Sequence, residues 1–294
     1  MVEDAEESVD VSVIVAVRNG GETLKQCIDS VLAQRGCTVE LVIVDALSDD
    51  STREIVESYG AAIATSIREA DRGIYDAWNK GLISARGQWC AFLGADDYFL
   101  NERSVSTLLL CARESHQTPV FVFGGVLRTG GAEDYIMHPD PLDARAYLRA
   151  GKMLPPPGSL HHIGALRTIG GFDASFRIAG DFDAVLKLSR MGLVQRCGGL
   201  VSVMRKGGVS SREEFRRLRI REAGYALGTH FGKAAEIMFL VRKLAGQALV
   251  SCVEGAVIHL VGREKGNAAL VDVRRRLGRQ PDLLSRSQGN RFVG

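Results

Sequence analysis

Residues 87–97 read Gly-Gln-Trp-Cys-Ala-Phe-Leu-Gly-Ala-Asp-Asp. The run Trp89 to Leu93 is continuously apolar rather than alternating, which predicts a strand buried on both faces. It stops at Gly94, and two adjacent carboxylates, Asp96 and Asp97, follow at once. In an open α/β sheet the carboxyl ends of the strands are where ligands sit. Two like charges are costly to hold side by side unless something positive binds between them. A hard divalent ion carrying a diphosphate meets that need, because Mg²⁺ and Mn²⁺ prefer carboxylate and phosphate oxygens. The plainer reading is a surface turn, where Asp is common for its side-chain hydrogen bonds.

Outward from this stretch, the 294-residue chain is long enough for one large domain with appendages, and 46% hydrophobic residues allow a sizeable core. That composition excludes a disordered chain. A net charge of only +2 argues against a dedicated nucleic-acid binder. Charge is uneven, with Glu3, Asp4, Glu6 and Glu7 at one end and Arg274, Arg275, Arg276 and Arg279 near the other. The six cysteines show no C-x-x-C pair and no zinc spacing, and Cys27 and Cys90 read as small core residues. With no secretory signal at the acidic start, a reducing cytoplasm is expected. No run of about 18 uncharged apolar residues predicts a spanning helix.

Upstream, Val11 to Val17 is a β-branched run and predicts a buried first strand, broken by Arg18-Asn19-Gly20-Gly21. Leu24, Ile28, Val31 and Leu32 recur at helical spacing, predicting a helix over 22–34. A second strand, Val39 to Val44, ends in Asp45, and Ser48 is placed to cap a helix carrying Ile55, Val56 and Tyr59. A weaker strand covers 61–67. Strands alternating with helices predict right-handed crossovers and a parallel sheet. Residues 75–86 follow as a helix closed by Gly87, with Asp76 in its first turn, where it would at least complement the helix dipole.

Downstream, a helix carries Leu108 to Leu110 and a strand covers Val120 to Phe123. Gly130-Gly131 predicts a hairpin turn, and Pro155-Pro156-Pro157-Gly158 predicts irregular chain. The long loop over 124–157 is expected to shape an acceptor site. His161-His162 invites a metal, but neighbours in a strand point to opposite faces, which opposes joint ligation. Ala184, Val185, Leu188 and Met191 predict a helix with Asp181 and Asp183 at its start, where either could serve as an N-cap. A strand over 200–204, a charged helix over 212–227 and a helical stretch over 233–261 follow.

These segments together resemble the family 2 glycosyltransferases of GT-A fold, especially the colanic-acid-type branch that builds bacterial surface polysaccharides. The resemblance is carried, in order, by VSVIVAVRNG with ETL and SVLAQ, ELVIVDALSDDST, DRGIYDAWNKG, GADD, IGGFDASFRIAGDFDAVLKL and GGVSS. It covers about residues 10 to 211. It implies an α/β fold with a Rossmann-like, mostly parallel central sheet flanked by helices, and a helical C-terminal extension. The expected organisation is a disordered acidic N-terminus (1–9), the catalytic domain (10–211), the extension (212–280) and a disordered tail (281–294).

The resemblance further implies roles. Asp45 contacts the nucleobase, Asp76 is a second acidic contact near the nucleoside, and Ala16 joins them among the substrate-binding positions. Asp96 faces the ribose and Asp97 holds Mn²⁺ or Mg²⁺. Asp181 is the general base, expected to be charged at neutral pH without a large pKa rise, and Asp183 supports the helix start or the acceptor. Three departures stand out: Ala46 where relatives carry a second acid, Gly180 where many carry Glu, and Lys206-Gly207-Gly208 where some carry a histidine. The implied enzyme is inverting and metal-dependent, taking a nucleotide-sugar donor, UDP-linked by preference, to a sugar or lipid-linked glycan acceptor. Its implied place is cytoplasmic, with peripheral contact at the cytoplasmic face of the inner membrane and self-association through the C-terminal helices left open. A catalytically inactive sugar-nucleotide-binding scaffold is the rival, and a nucleotidyltransferase a weaker one, because the 18–21 loop is short and poor in lysine.

Overall fold

Three largely apolar runs build the centre of the molecule. In the computed structural model, which describes residues 8–130, 134–137, 143–206 and 213–246, β1 (Val11–Val17) lies between β2 (Val39–Asp45) and β4 (Trp89–Gly94), parallel to both. Register aligns their carboxyl ends: Ala16 pairs with Val44 and with Gly94, and Val17 with Asp45. On the outer side β3 (Thr65–Arg68) runs parallel to β2 and sets Arg68 opposite Asp45. β1, β2 and β4 are buried on both faces, as their largely apolar sequences require, whereas the edge strand β3 is half exposed. Ile14, Val42 and Phe92 face one core, under α3 (Ile74–Ser84), α6 (Ile163–Thr168) and α7 (Gly180–Met191). Val13, Val15, Leu41 and Leu93 face the other, with Leu24 and Ile28 of α1 (Leu24–Leu32) and Leu108 and Leu109 of α4 (Ser104–Arg113).

Beyond β4 the direction reverses. β8 (Ser159–His162) is antiparallel to β4 and to β6 (Phe121–Thr129), while β6 runs parallel to the long β9 (Val194–Arg205). The two-residue β5 (Tyr98–Phe99) closes onto β9, and β7 (Tyr135–Met137) hangs from β6 as a hairpin. The order is β3-β2-β1-β4-β8-β6-β9-β5. This curled α/β sheet with flanking helices is the expected GT-A architecture. β5 follows Asp97 immediately and ties that carboxylate to the end of β9.

Several local expectations change. Ser48 does not cap α2 (Thr52–Tyr59); the capping residue is Ser51, and Ser48 is spent on Asp45 instead. Residues 60–62 form a 3-10 turn and β3 starts only at Thr65. Pro156–Gly158 is a 3-10 turn rather than irregular chain, since proline suits a first helical turn. β9 begins at Val194, six residues early, across a bulge where its pairing with β6 shifts. His161 and His162 part as predicted. His161 is wedged between the rings of Phe92 and Phe121, where burial pushes its pKa down to about 3, and His162 Nδ1 accepts from Ala165 N–H.

The C-terminal helix α8 spans Arg216–Phe231, later than expected, and residues 233–246 are helical again. α8 shares the core of the sheet through Ala226 and Leu227, which lie with Val185 and Leu188 of α7. No helix among the described residues is long and apolar enough to cross a membrane. The expected tail over 281–294, the loop 207–212 and the helical stretch beyond 246 lie outside the described residues.

Candidate active site

The aligned strand ends carry the predicted carboxylates. Asp45 closes β2 almost fully buried, at 3% exposure. Its Oδ1 accepts from Ser48 N–H at 2.9 Å and Ser48 Oγ at 2.5 Å. Its Oδ2 is buried without a hydrogen bond among the described residues, although Arg68 Nε stands 3.3 Å away. Ser48 Oγ also accepts from Asn19 N–H, Thr52 Oγ1 from Gly20 N–H and Asp50 Oδ2 from Gly21 N–H. The 18–21 loop is therefore pinned against the Asp45 turn. An unsatisfied buried carboxylate oxygen of this kind calls for a ligand donor.

Asp96 and Asp97 sit on the tight turn between β4 and β5, where Asp97 N–H donates to Gly94 O. A Cβ on Gly94 would lie 2.7 Å from Asp96 Oδ1 and 3.1 Å from Asp97 Oδ2, so the two carboxylates converge on space that only glycine leaves open. Asp97 Oδ1 accepts from Arg205 N–H at 3.3 Å, which brings the end of β9 over the pair. Burial, with the neighbouring Asp96 charge, pushes the Asp97 carboxyl up to about 8, and Arg128 offsets part of this. Such a carboxylate is short of positive charge. Among the described residues no three or more His, Cys, Asp or Glu side chains cluster as a ready-made metal cage. The set fits a hard divalent cation held by one or two carboxylates and completed by substrate phosphates and water.

Asp181 lies in the first turn of α7 and is half-buried. Its Oδ1 accepts from Tyr75 OH at 3.0 Å and from Phe182 N–H at 2.8 Å. Burial pushes its carboxyl up to about 6, with the Glu222 charge adding to the rise. This departs from the expectation of an unshifted base: the helix N-terminus does not outweigh the loss of water around the carboxyl. Tyr75, itself buried, is raised well above its ordinary value and so stays a hydroxyl donor. Gly180, one of the departures noted in sequence, has a physical reason, since a Cβ there would come within 2.8 Å of the Tyr75 ring. Tyr75 stands 106 residues before Asp181 in the chain and nothing in the sequence links the two.

Asp76 and Asp183 are differently placed. Asp76 accepts from the backbone and the guanidinium of Arg72, both at 3.1 Å, with Lys80 Nζ 3.5 Å away. Burial alone would raise its pKa, but these partners lower it. Asp183 is 3% exposed, with Oδ1 2.7 Å from His230 Nε2 and Oδ2 2.8 Å from Lys187 Nζ. Burial is again outweighed, here by His230 and Lys187, and its pKa is lowered. Oδ1 ties α7 to α8 through His230, while Oδ2 pairs with Lys187 one turn along α7 itself. Ala16, beside Gly94 on β1, is partly buried and offers no polar side chain. An open cleft of about 510 Å³ runs between Arg18, the Asp71–Gly73 turn and residues 174–177, which lead into α7.

Comparison with known proteins completes the description. The sequence model described as Glycosyl transferase family 2 matches residues 12–162. A PGL/p-HBAD biosynthesis glycosyltransferase of Mycobacterium bovis is 30% identical over 195 residues, covering 63% of this chain and 72% of the relative. The succinoglycan biosynthesis protein ExoO of Rhizobium meliloti is 39% identical over 89 residues, covering 30% of this chain and 26% of its own. Among solved structures, Staphylococcus aureus TarS 1–349 in complex with UDP-GlcNAc superposes with a TM-score of 0.62 at 19% identity, covering 80% of this chain and 72% of that one. The mannosyltransferase PcManGT from Pyrobaculum calidifontis, in complex with GDP-Man and Mn²⁺, superposes at 0.57 and 19% identity, covering 94% and 82%. At that identity the two structures speak to fold.

Proposed function

The chain belongs to glycosyl transferase family 2, and we propose that it is an inverting, divalent-cation-dependent enzyme that moves a sugar from a UDP-linked donor to a hydroxyl of a surface glycan. The observation that carries this reading is the half-buried Asp181 carboxylate, held on one oxygen by Tyr75 and Phe182. Its Oδ2 would receive the incoming hydroxyl. Asp181 takes the proton of that hydroxyl as the oxygen attacks the anomeric carbon on the face opposite the nucleotide. One displacement of this kind inverts the anomeric centre and needs no covalent intermediate.

Asp97, with Asp96 beside it, would hold Mn²⁺ or Mg²⁺, which when bound neutralises charge on the leaving diphosphate. Asp45 Oδ2 is suited to accept the N–H of a uracil, being buried and unbonded at the end of β2. Asp76 fixes the Arg72–Gly73 turn at the cleft, so its part in donor binding is exercised through Arg72. Ala16 gives the donor a smooth floor next to Gly94. Asp183 is a positioning residue rather than a substrate contact, because His230 and Lys187 occupy both its oxygens.

The test is donor turnover across a panel of UDP- and GDP-sugars, with and without Mn²⁺. Metal-dependent hydrolysis or transfer from a UDP-sugar is expected. A protein that binds these donors and never turns them over would be a scaffold, and the enzymatic reading would fail. Substituting Asp45 separates binding from chemistry. Losing a charged hydrogen bond costs about 1.5–3 kcal/mol, so Asp45→Ala should weaken nucleotide affinity roughly tenfold or more. At saturating donor, kcat should hold within a few-fold. Unchanged nucleotide Kd by calorimetry, with only kcat reduced, would take Asp45 out of the nucleobase site.

A further inference from the structure

We infer that Glu222, on α8, is a positioning residue for the catalytic base, so that the helix C-terminal to the matched family pattern is part of the catalytic centre. Its carboxylate reaches out of α8 to the segment that leads into α7. Oε1 accepts from Arg177 N–H at 3.0 Å, and Oε2 accepts from Ile178 N–H at 2.8 Å and Ala179 N–H at 3.0 Å. The N–H groups around a helix start have no partner within the helix and must be satisfied from outside. The capping residue of α7, Ala179, has no side-chain acceptor to offer. Glu222 supplies it from another helix, and three charge-assisted bonds from one carboxylate are among the stronger ties available to a backbone.

The consequence falls on Asp181, two residues further on. Its carboxylate is steered from one side by Tyr75 and by Phe182 N–H, while the backbone that carries it is fixed from the other by Glu222. Further ties hold α8 in place: Arg177 lies over the Phe215 ring at 4.8 Å, and His230 grips Asp183. The charged or titratable groups facing the Asp181 carboxyl are Tyr75 from α3 and Glu222 from α8. Glu222 therefore acts in two ways, by geometry and by a negative charge that makes Asp181 a stronger base.

This inference rests on the reading of Asp181 as the base, and the experiment keeps the two apart. Glu222→Gln, Glu222→Ala and Asp181→Asn are made in the full chain. Gln keeps the shape and one acceptor oxygen but removes the charge and sets an NH₂ against a backbone donor. Amide hydrogen exchange at residues 177–179 should speed up about tenfold or more, the effect of losing one good hydrogen bond. A base misplaced by about 1 Å can cost on the order of 100-fold, so kcat should fall about 10–100-fold with nucleotide Kd within twofold. In Glu222→Gln the acid limb of the kcat profile should move to lower pH, because Asp181 ionises more readily without a negative neighbour.

A lower Tm with kcat and the acid limb unmoved would make Glu222 merely structural and overturn the inference. So would unchanged exchange at 177–179, or a loss of nucleotide affinity equal to the loss of kcat. If the Ala variant does not fold, the Gln variant decides. Should Asp181→Asn be inactive while Glu222→Gln turns over normally, this inference alone falls. An active Asp181→Asn would take the base assignment down with it.

Discussion

Asp181→Asn should lower kcat by about 10²–10⁴-fold, the usual worth of a general base, while the nucleotide binds as before. The amide keeps the shape and still accepts from Tyr75 and Phe182, but it cannot take a proton. Helix capping does not explain Asp181, since the cap position is Ala179 and the Asp181 carboxylate accepts from Phe182 N–H, next to it in the helix, rather than from the second or third helical N–H. Stability should move the other way from activity. Burial pushes Asp181 up to about 6, above its ordinary value. The folded state therefore binds this proton more tightly than the unfolded state, and the ionised carboxylate weakens the fold at every pH above about 6. That penalty fades as pH falls through 6 towards the ordinary carboxylate value. At pH 7 the Asn variant should accordingly melt no lower than the wild type, and slightly higher if its amide is well seated. The same shift gives the wild-type profile its sign: kcat/KM, which reports the free enzyme, should decline as pH drops through about 6, where the base takes up a proton. An Asn variant retaining wild-type kcat, or a wild-type kcat/KM flat from pH 5 to 8, would remove Asp181 from the reaction. Asp183→Asn is the internal control; it should lower Tm through the lost His230 and Lys187 pairings, with a smaller loss of turnover per folded molecule.

Asp97→Ala should be the other near-complete loss. Charge neutralisation by a bound cation is worth several kcal/mol in the transition state, and each 1.36 kcal/mol is tenfold in rate, so the deficit should reach about 10³-fold or more. Excess Mn²⁺ should not rescue it, because no cluster of three or more ligand-type side chains stands by among the described residues. Asp96→Ala should leave a partial, metal-rescuable activity, since Asp97 is the more buried carboxylate. In the cation-free protein Asp97 is pushed up to about 8, so at neutral pH cation uptake must expel its proton. Apparent Mn²⁺ affinity should therefore weaken as pH falls below about 8, by up to tenfold per unit. Calorimetric titrations at pH 6, 7 and 8 measure it directly. Full activity after exhaustive chelation would dispose of the metal assignment, and a pH-independent Mn²⁺ affinity would point to ligands other than Asp97.

How much of this could be read before the fold was known differs by region, for physical reasons. β1, β2 and β4 are legible because strands buried on both faces are predominantly apolar, and Val11–Val17, Val39–Asp45 and Trp89–Gly94 are, Ser12 and Glu40 being buried only as a hydrogen-bonded pair. Their alignment then follows from the parallel arrangement, which is why Asp45 and Asp97 could be placed at one edge. β9 was less legible, because Arg196, Gly198 and Gly199 break the pattern just where its pairing with β6 slips. Ser48 reads as a helix cap until Asp45 is seen to claim it, a competition that local spacing cannot resolve. The support of the base was not legible at all. Tyr75 and Glu222 reach Asp181 or its backbone across 106 and 43 or more residues of chain, through packing of α3 and α8 that periodicity does not encode. Only Gly180 left a trace, as a glycine where a side chain was expected.

The hold of Glu222 on residues 177–179 also orders events during synthesis. A chain grows from its N-terminus at roughly 5–20 residues per second, so residues early in the sequence are made well before late ones. The strands carrying Asp45 and Asp97 leave the ribosome early, whereas Glu222 is polymerised 125 residues after Asp97, a delay of roughly 6–25 s. On the proposed roles, the carboxylates for a nucleotide and a cation are made first, the base-bearing residues 177–181 follow, and these are without their anchor for the 41 residues from Asp181 to Glu222. Turnover of an acceptor would then await the arrival of α8.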